Sequence, residues 1–146
     1  MIINGYCLIA YIKLLINHSD NNSFLRIVNT PKRKIGDVTI KKIVDNVDLN
    51  DISYFQAASM MNFKGLNEFF NVINKYSTLI LSDFDKYFEL YLEEIGYMNF
   101  LRSYDEMYEE RYQNIIELKE SMSNAIDEDM GLNEYLNELV LFVKKI

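Results

Sequence analysis

The chain has 146 residues, 49% of them hydrophobic and 14% aromatic, which is one domain's worth of core and excludes an intrinsically disordered segment. One proline and five glycines leave too little punctuation for a many-stranded sheet, so the pattern points to an all-α fold, a single compact multi-helix domain over residues 1–146. The net charge of −7 argues globally against a polyanion binder, but residues 1–42 hold seven basic groups against two acidic ones, and the remainder eight against twenty.

An acidic body with one basic corner can meet a polyanion in only one orientation. The single cysteine, Cys7, permits no internal disulfide and fits a reducing cytoplasm. The start of the chain lacks a basic n-region and a small-residue cleavage site, so no signal peptide is expected. The longest apolar run is interrupted by Lys13 and is too short for a membrane span.

In chain order, Tyr6–Ile16 is apolar at helical spacing with little polar face, which predicts a covered helix. His18 to Ser23 is a polar turn, in which His18 reads as a solvated side chain, and Asp20 or Ser23 can cap a short helix over Phe24–Val28. Asn29–Gly36 carries the proline and no apolar period, so it reads as a loop. Asp37 then stands where an N-cap is expected, before a stripe of Ile40, Ile43, Val44 and Val47.

Further helices are predicted over Asp51–Met61 and Leu66–Leu81. Ser82-x-x-Asp85 resembles a capping box that opens Phe84–Ile95, with Gly96 as the C′ residue that ends it. Tyr97–Tyr104 is brief, Met107–Ile126 long and charged, and Leu132–Val143 the last helix. Both ends of the chain fall inside apolar helical patterns, as expected of a piece of a larger polypeptide.

Catalytic signatures are missing. The sequence has neither G-x-x-x-x-G-K-[ST] nor G-x-G-x-x-G, so the chain is expected to hold no nucleotide and to be inactive alone. One histidine and one cysteine make no ordinary zinc site. The adjacent acids Glu93-Glu94 and Glu109-Glu110 do not face each other on a helix and read as solvated faces.

The stretch Asn29–Thr39, NTPKRKIGDVT, carries the most information. Pro31 fixes the loop's entry, Lys32, Arg33 and Lys34 bring three cations, and Ile35-Gly36 leads into a helix N-terminus. Glycine permits close backbone approach and a positive φ, and the helix start offers free N–H groups. These are the parts of a phosphate-backbone clamp, to which Thr39 adds a hydroxyl unless it serves the cap instead. The bland alternative is a solvated basic triplet beside an ordinary helix start, and Asp37 there repels phosphate.

Two stretches, Tyr11-Ile-Lys-Leu-Leu-Ile-Asn17 and Ser23–Ile40, resemble the entry to the 2B subdomain of UvrD/PcrA/Rep-type DNA helicases, whose pattern includes Arg-Ile-x-Asn-x-Pro-x-Arg-Gly-Ile-Gly-x-x-Thr. Looser matches follow: Gly96-Tyr97 with Leu101, then Arg111, Asn114 and Glu117-Leu118, and Leu132–Leu141 with Tyr135 in an aromatic place. The resemblance implies a mobile helical subdomain that touches duplex DNA ahead of a single-strand junction through helix-hairpin-helix-like turns. Thr30, Lys32, Arg33, Lys34, Ile35, Gly36 and Thr39 are the expected contact residues, and Lys64-Gly65-Leu66 resembles a second such turn.

This sequence departs from that pattern at Lys34, where the first glycine is usual. A lysine there is strained if the position needs φ > 0; otherwise the turn differs and Lys34 adds a phosphate contact. ATP and Mg²⁺ are implied only in the parent's motor domains, with no cofactor in this chain. Implied partners are double-stranded DNA or its junction, the motor domains, and repair or replication proteins, in a bacterial cytoplasm. A different reading makes the acidic helical body a protein-interaction module, with Tyr104, Tyr108 and Tyr112 either at the interface or, equally well, in the core.

Overall fold

A computed structural model of the protein describes residues 5–104, 106–128 and 131–137. Among these residues there are helices and connecting turns and no strand, which makes a single compact all-α body. The helices are α1 (Gly5–Ile16), α2 (Asn21–Ile27), α3 (Asp37–Asn50), α4 (Tyr54–Met61), α5 (Asn67–Ser82), α6 (Phe84–Glu94), α7 (Tyr97–Tyr104), α8 (Tyr108–Asp127) and α9 (Leu132–Asn137). A 3₁₀ turn, Lys64–Leu66, leads into α5. The last predicted helix lies outside the described residues beyond Asn137.

Helix α1 is the central rod. Leu8, Tyr11, Ile12, Leu14 and Leu15 are all buried, as its nearly continuous apolar sequence requires. Burying each such side chain contributes about 1.5–3 kcal/mol, so removing one, as in Leu15→Ala, costs roughly 2–5 kcal/mol. Around α1 pack α2, α5 and α9; α6 lies along α5 and supports α7 and α8. Helix α3 packs chiefly on α4, which in turn leans on α2. Ile43 is the buried centre of the α3 stripe, and the opposite face, with Val38, Lys41 and Lys42, is open to solvent.

The predicted boundaries shift where a different side chain reaches the free N–H groups. Asp20 caps α2 by accepting from Ser23 N at 3.1 Å. Asp83, rather than Ser82, caps α6, accepting from Lys86 N at 3.2 Å, while the Ser82 hydroxyl turns back to the Leu79 carbonyl. Asp51 does not open α4: it ends α3 in the left-handed region, and Ser53 caps α4. Gly96 follows α6 at φ 93°, as expected of a C′ glycine.

His18 is not a solvated side chain. Its ring stacks on Phe55 with centroids 4.4 Å apart, and Nε2 lies 2.8 Å from the Ser77 hydroxyl. That hydroxyl donates its hydrogen to the Ile73 carbonyl at 2.6 Å, so its oxygen accepts and His18 Nε2 carries the hydrogen. Burial pushes the His18 pKa below its usual value.

Candidate nucleic-acid interface

The loop between α2 and α3 is shaped by its own side chains. Asn29 spans it: its amide donates to the Ile35 carbonyl at 3.0 Å and its oxygen accepts from Arg33 N at 2.8 Å. The Thr30–Pro31 peptide is cis. Lys34 sits at φ 61°, the left-handed region that a glycine adopts without penalty. Gly36 does not need such freedom: its φ is −126° and ψ −173°, ordinary extended backbone. Of the two positions at which the sequence allowed a positive φ, Lys34 adopts it and Gly36 does not.

Gly36, not Asp37, is the N-cap of α3, and no side chain caps the helix there. Asp37 is the first helical residue, because the Ile40 N–H already reaches the Gly36 carbonyl at 3.1 Å. A Cβ on Gly36 would meet nothing within 4 Å. Neither backbone angle nor internal crowding thus calls for a glycine at this surface position. An external surface can come close to the backbone here, beside the free N–H groups of the first turn.

Gly65 is held differently. A Cβ there would stand 1.9 Å from the Arg33 carbonyl oxygen and 3.4 Å from an Ile35 methyl. The two glycine-containing turns singled out in the sequence are therefore packed against each other, with Gly65 backing the basic loop. On another side of the loop, a Cβ on Gly96 would come 3.6 Å from the Pro31 ring.

The seven expected contact residues divide into two groups. Lys32, Lys34 and Gly36 are exposed, and Thr39 is half-buried in the first turn of α3. Ile35 packs against the core. Thr30 gives its carbonyl to the Tyr11 hydroxyl. Arg33 turns inward. Its Nη1 donates to the carbonyls of Ile27 at 2.6 Å, Val28 at 3.1 Å and Pro31 at 3.2 Å. Its Nη2 donates to the Tyr11 hydroxyl at 2.7 Å and to the Ile95 carbonyl at 3.3 Å. The guanidinium also lies 4.7 Å from the centre of the Phe69 ring.

Behind Arg33, the buried Tyr91 hydroxyl donates to the Tyr11 carbonyl at 2.8 Å. Burial holds the Tyr11 and Tyr91 pKa values above the usual phenol range, well above it for Tyr91, with Arg33 opposing in both cases.

Three cations of the acidic body are committed to carboxylates. Lys75 meets Glu94 at 3.0 Å, Arg102 is paired with Glu93, and Lys119 meets Glu89 at 3.4 Å. Lys75 in turn lowers the Glu94 pKa through their hydrogen bond. Lys32, Lys34, Lys41 and Lys42 form no ion pair among the described residues, as is also true of Lys64 and Lys86; what sets Lys32 and Lys34 apart is their place beside the start of α3. A groove of about 340 Å³ runs beside the loop, but Glu68 and Glu94 line it together with Phe69 and Val72. Lys32 and Lys34 line the same groove; these carboxylates weaken its hold on an anion, although neither lysine is ion-paired to them.

Tyr108 and Tyr112, for which the sequence left both an inward and an interface placement open, are packed against the core, and the Tyr112 hydroxyl donates to Glu89 at 2.9 Å. The Tyr104 side chain lies outside the described residues. No described helix is long and apolar enough to cross a membrane, and no described group of His, Cys, Asp and Glu could hold a metal.

The all-helical body is the form the sequence pattern called for, and comparison with known proteins shows its family. Residues 7–146 match the family described as the UvrD-like helicase C-terminal domain, and the chain belongs to that family. It is 29% identical to the ATP-dependent DNA helicase PcrA of Bacillus subtilis over 146 aligned residues, covering 92% of this chain and 20% of PcrA. It is 40% identical over 74 residues to the ATP-dependent DNA helicase Rep of Buchnera aphidicola from Acyrthosiphon pisum, covering 50% of this chain and 11% of that protein. It is 47% identical over 51 residues to Rep of Escherichia coli, covering 35% of this chain and 8% of Rep. The chain thus spans a fifth or less of the length of these relatives.

Proposed function

We propose that residues 1–146 are the 2B-type accessory subdomain of a longer ATP-dependent DNA helicase and that the loop Asn29–Gly36, with the first turn of α3, holds the phosphates of duplex DNA near a single-strand junction. The observation that carries this reading is the cluster of lysines without ion pairs at an uncapped helix start. Lys32 and Lys34 supply mobile charge, Gly36 leaves room for a phosphate to reach the α3 N–H groups, and Thr39 adds a hydroxyl. Every one of these contacts reads the DNA backbone and none reads a base, so binding is insensitive to sequence and sensitive to salt.

Asp37 in the same turn subtracts from the attraction, as does the net charge of −7. Affinity of the chain alone is therefore weak, with a dissociation constant on the order of 10⁻⁴–10⁻⁶ M, the range of non-specific binding. In this reading ATP and Mg²⁺ bind the motor domains outside this stretch, and the chain by itself hydrolyses nothing. Its other partners are those motor domains and repair or replication proteins, in the cytoplasm.

The test is a fluorescence-anisotropy titration of two labelled hairpin junctions of unrelated sequence at low salt. Equal, weak binding to both supports the proposal. Binding to neither hairpin, with retained binding to the parent's motor domains, would make the chain a protein-docking module instead.

A further inference from the structure

Resting on that reading, we infer that Arg33 is a positioning residue for the duplex contact and not one of its phosphate ligands. Its five internal acceptors come from four parts of the molecule: the end of α2 (Ile27, Val28), the loop itself (Pro31), α1 (Tyr11) and the corner after α6 (Ile95). The Ile27 and Val28 carbonyls belong to the α2 terminus, where a cation is favoured by the helix dipole; the Ile27 carbonyl also accepts from Thr30 N at 3.1 Å. The guanidinium is therefore a side-chain cap for α2, built into the loop that follows it.

The planar fork makes this possible. Two donor nitrogens spread in a fixed geometry reach carbonyls on opposite sides at once, which an ammonium on a flexible stem does not do. The Tyr11 hydroxyl accepts from Arg33 and donates to the Thr30 carbonyl, so it ties both ends of the segment Thr30–Arg33 to α1. Tyr91 holds Tyr11 from behind, and Gly65 leaves room for the Arg33 carbonyl. Lys32 and Lys34, the neighbours of Arg33 on either side, point to solvent from a backbone pinned between them. In this chain, where Lys34 adopts a left-handed conformation without being glycine, the pin also holds the loop in a shape its own sequence disfavours.

The two roles separate in a salt series. A phosphate ligand contributes about 0.9 to the slope of log affinity against log salt, and a positioning residue contributes to affinity without contributing to slope. Duplex-hairpin binding is measured for this chain and its Arg33→Lys, Arg33→Met and Tyr11→Phe variants, with melting by circular dichroism and amide exchange of residues 29–36 recorded for each. The expected result is about tenfold weaker binding in all three, with the wild-type slope, and faster exchange of the hydrogen-bonded amides at positions 30 and 33.

Arg33→Lys is the decisive variant, because it keeps the charge and loses the fork. Wild-type affinity in Arg33→Lys, a slope lowered by about 0.9 in Arg33→Met, or unchanged affinity in Tyr11→Phe would each overturn the inference. If the wild-type chain binds no hairpin, the underlying functional reading fails; the exchange data still decide the pin, which is overturned if Arg33→Lys leaves residues 29–36 protected as in wild type.

Discussion

Gly65 faces the Arg33 carbonyl so closely that a Cβ built on it would stand 1.9 Å from that oxygen. Both partners are backbone, so neither can swing aside as a side chain tip can. Gly65→Ala therefore forces the loop away from the 3₁₀ turn and should cost about 2 kcal/mol or more, at the upper side of what overpacking costs. Urea unfolding measures it. A loss below about 0.5 kcal/mol would mean that the loop moves off the turn freely.

Lys34 at φ 61° gives a prediction of opposite sign. A left-handed non-glycine residue costs about 1 kcal/mol or somewhat more, partly offset in the variant by the extra freedom glycine has when unfolded. Lys34→Gly should raise stability by about 0.5–1 kcal/mol while weakening duplex binding through the lost charge. Calorimetry and a binding titration on the same sample would show the two effects in opposite directions. A Lys34→Gly chain that is less stable than wild type would rule out the left-handed assignment.

His18 gives the chain a pH dependence. Its folded pKa lies below the unfolded value of about 6.5, because burial against Phe55 disfavours the charged ring. The unfolded chain therefore takes up the proton first as pH falls. The stability associated with neutral His18 is fully present above about pH 6.5 and is lost as pH drops through the depressed folded pKa. His18→Gln keeps a donor for Ser77 and removes the titration. Between about pH 7.5 and pH 5.5 the wild-type Tm should fall more than that of His18→Gln. Parallel curves would contradict the assignment.

The parts of this fold that depend on neighbouring residues were legible in the sequence. The apolar run of α1, the Ile43 stripe of α3 and the glycine stop at Gly96 follow from local periodicity and backbone preference, and each is where it was expected. The basic loop was also legible as a loop. The direction of Arg33 was not: its acceptors on Tyr11 and Ile95 lie far away along the chain, and a run of three cations looks alike whether its middle member faces in or out. The same holds for His18, whose partner Ser77 is 59 residues away. The family pattern did carry a signal, since Asn29, Pro31 and Arg33 all belong to it and all shape the loop. Reading that signal needed the acceptors.

The Lys32→Ala/Lys34→Ala double variant tests the central claim, that this loop holds duplex phosphates, most directly. Both side chains are exposed and free of ion pairs, so their removal should leave the melting temperature nearly unchanged. The measurement is the slope of log duplex affinity against log salt for wild type and double variant. The account predicts a slope smaller in magnitude by about 1.8, two phosphate contacts at about 0.9 each, with weaker binding at every salt concentration. An unchanged slope and affinity would contradict it.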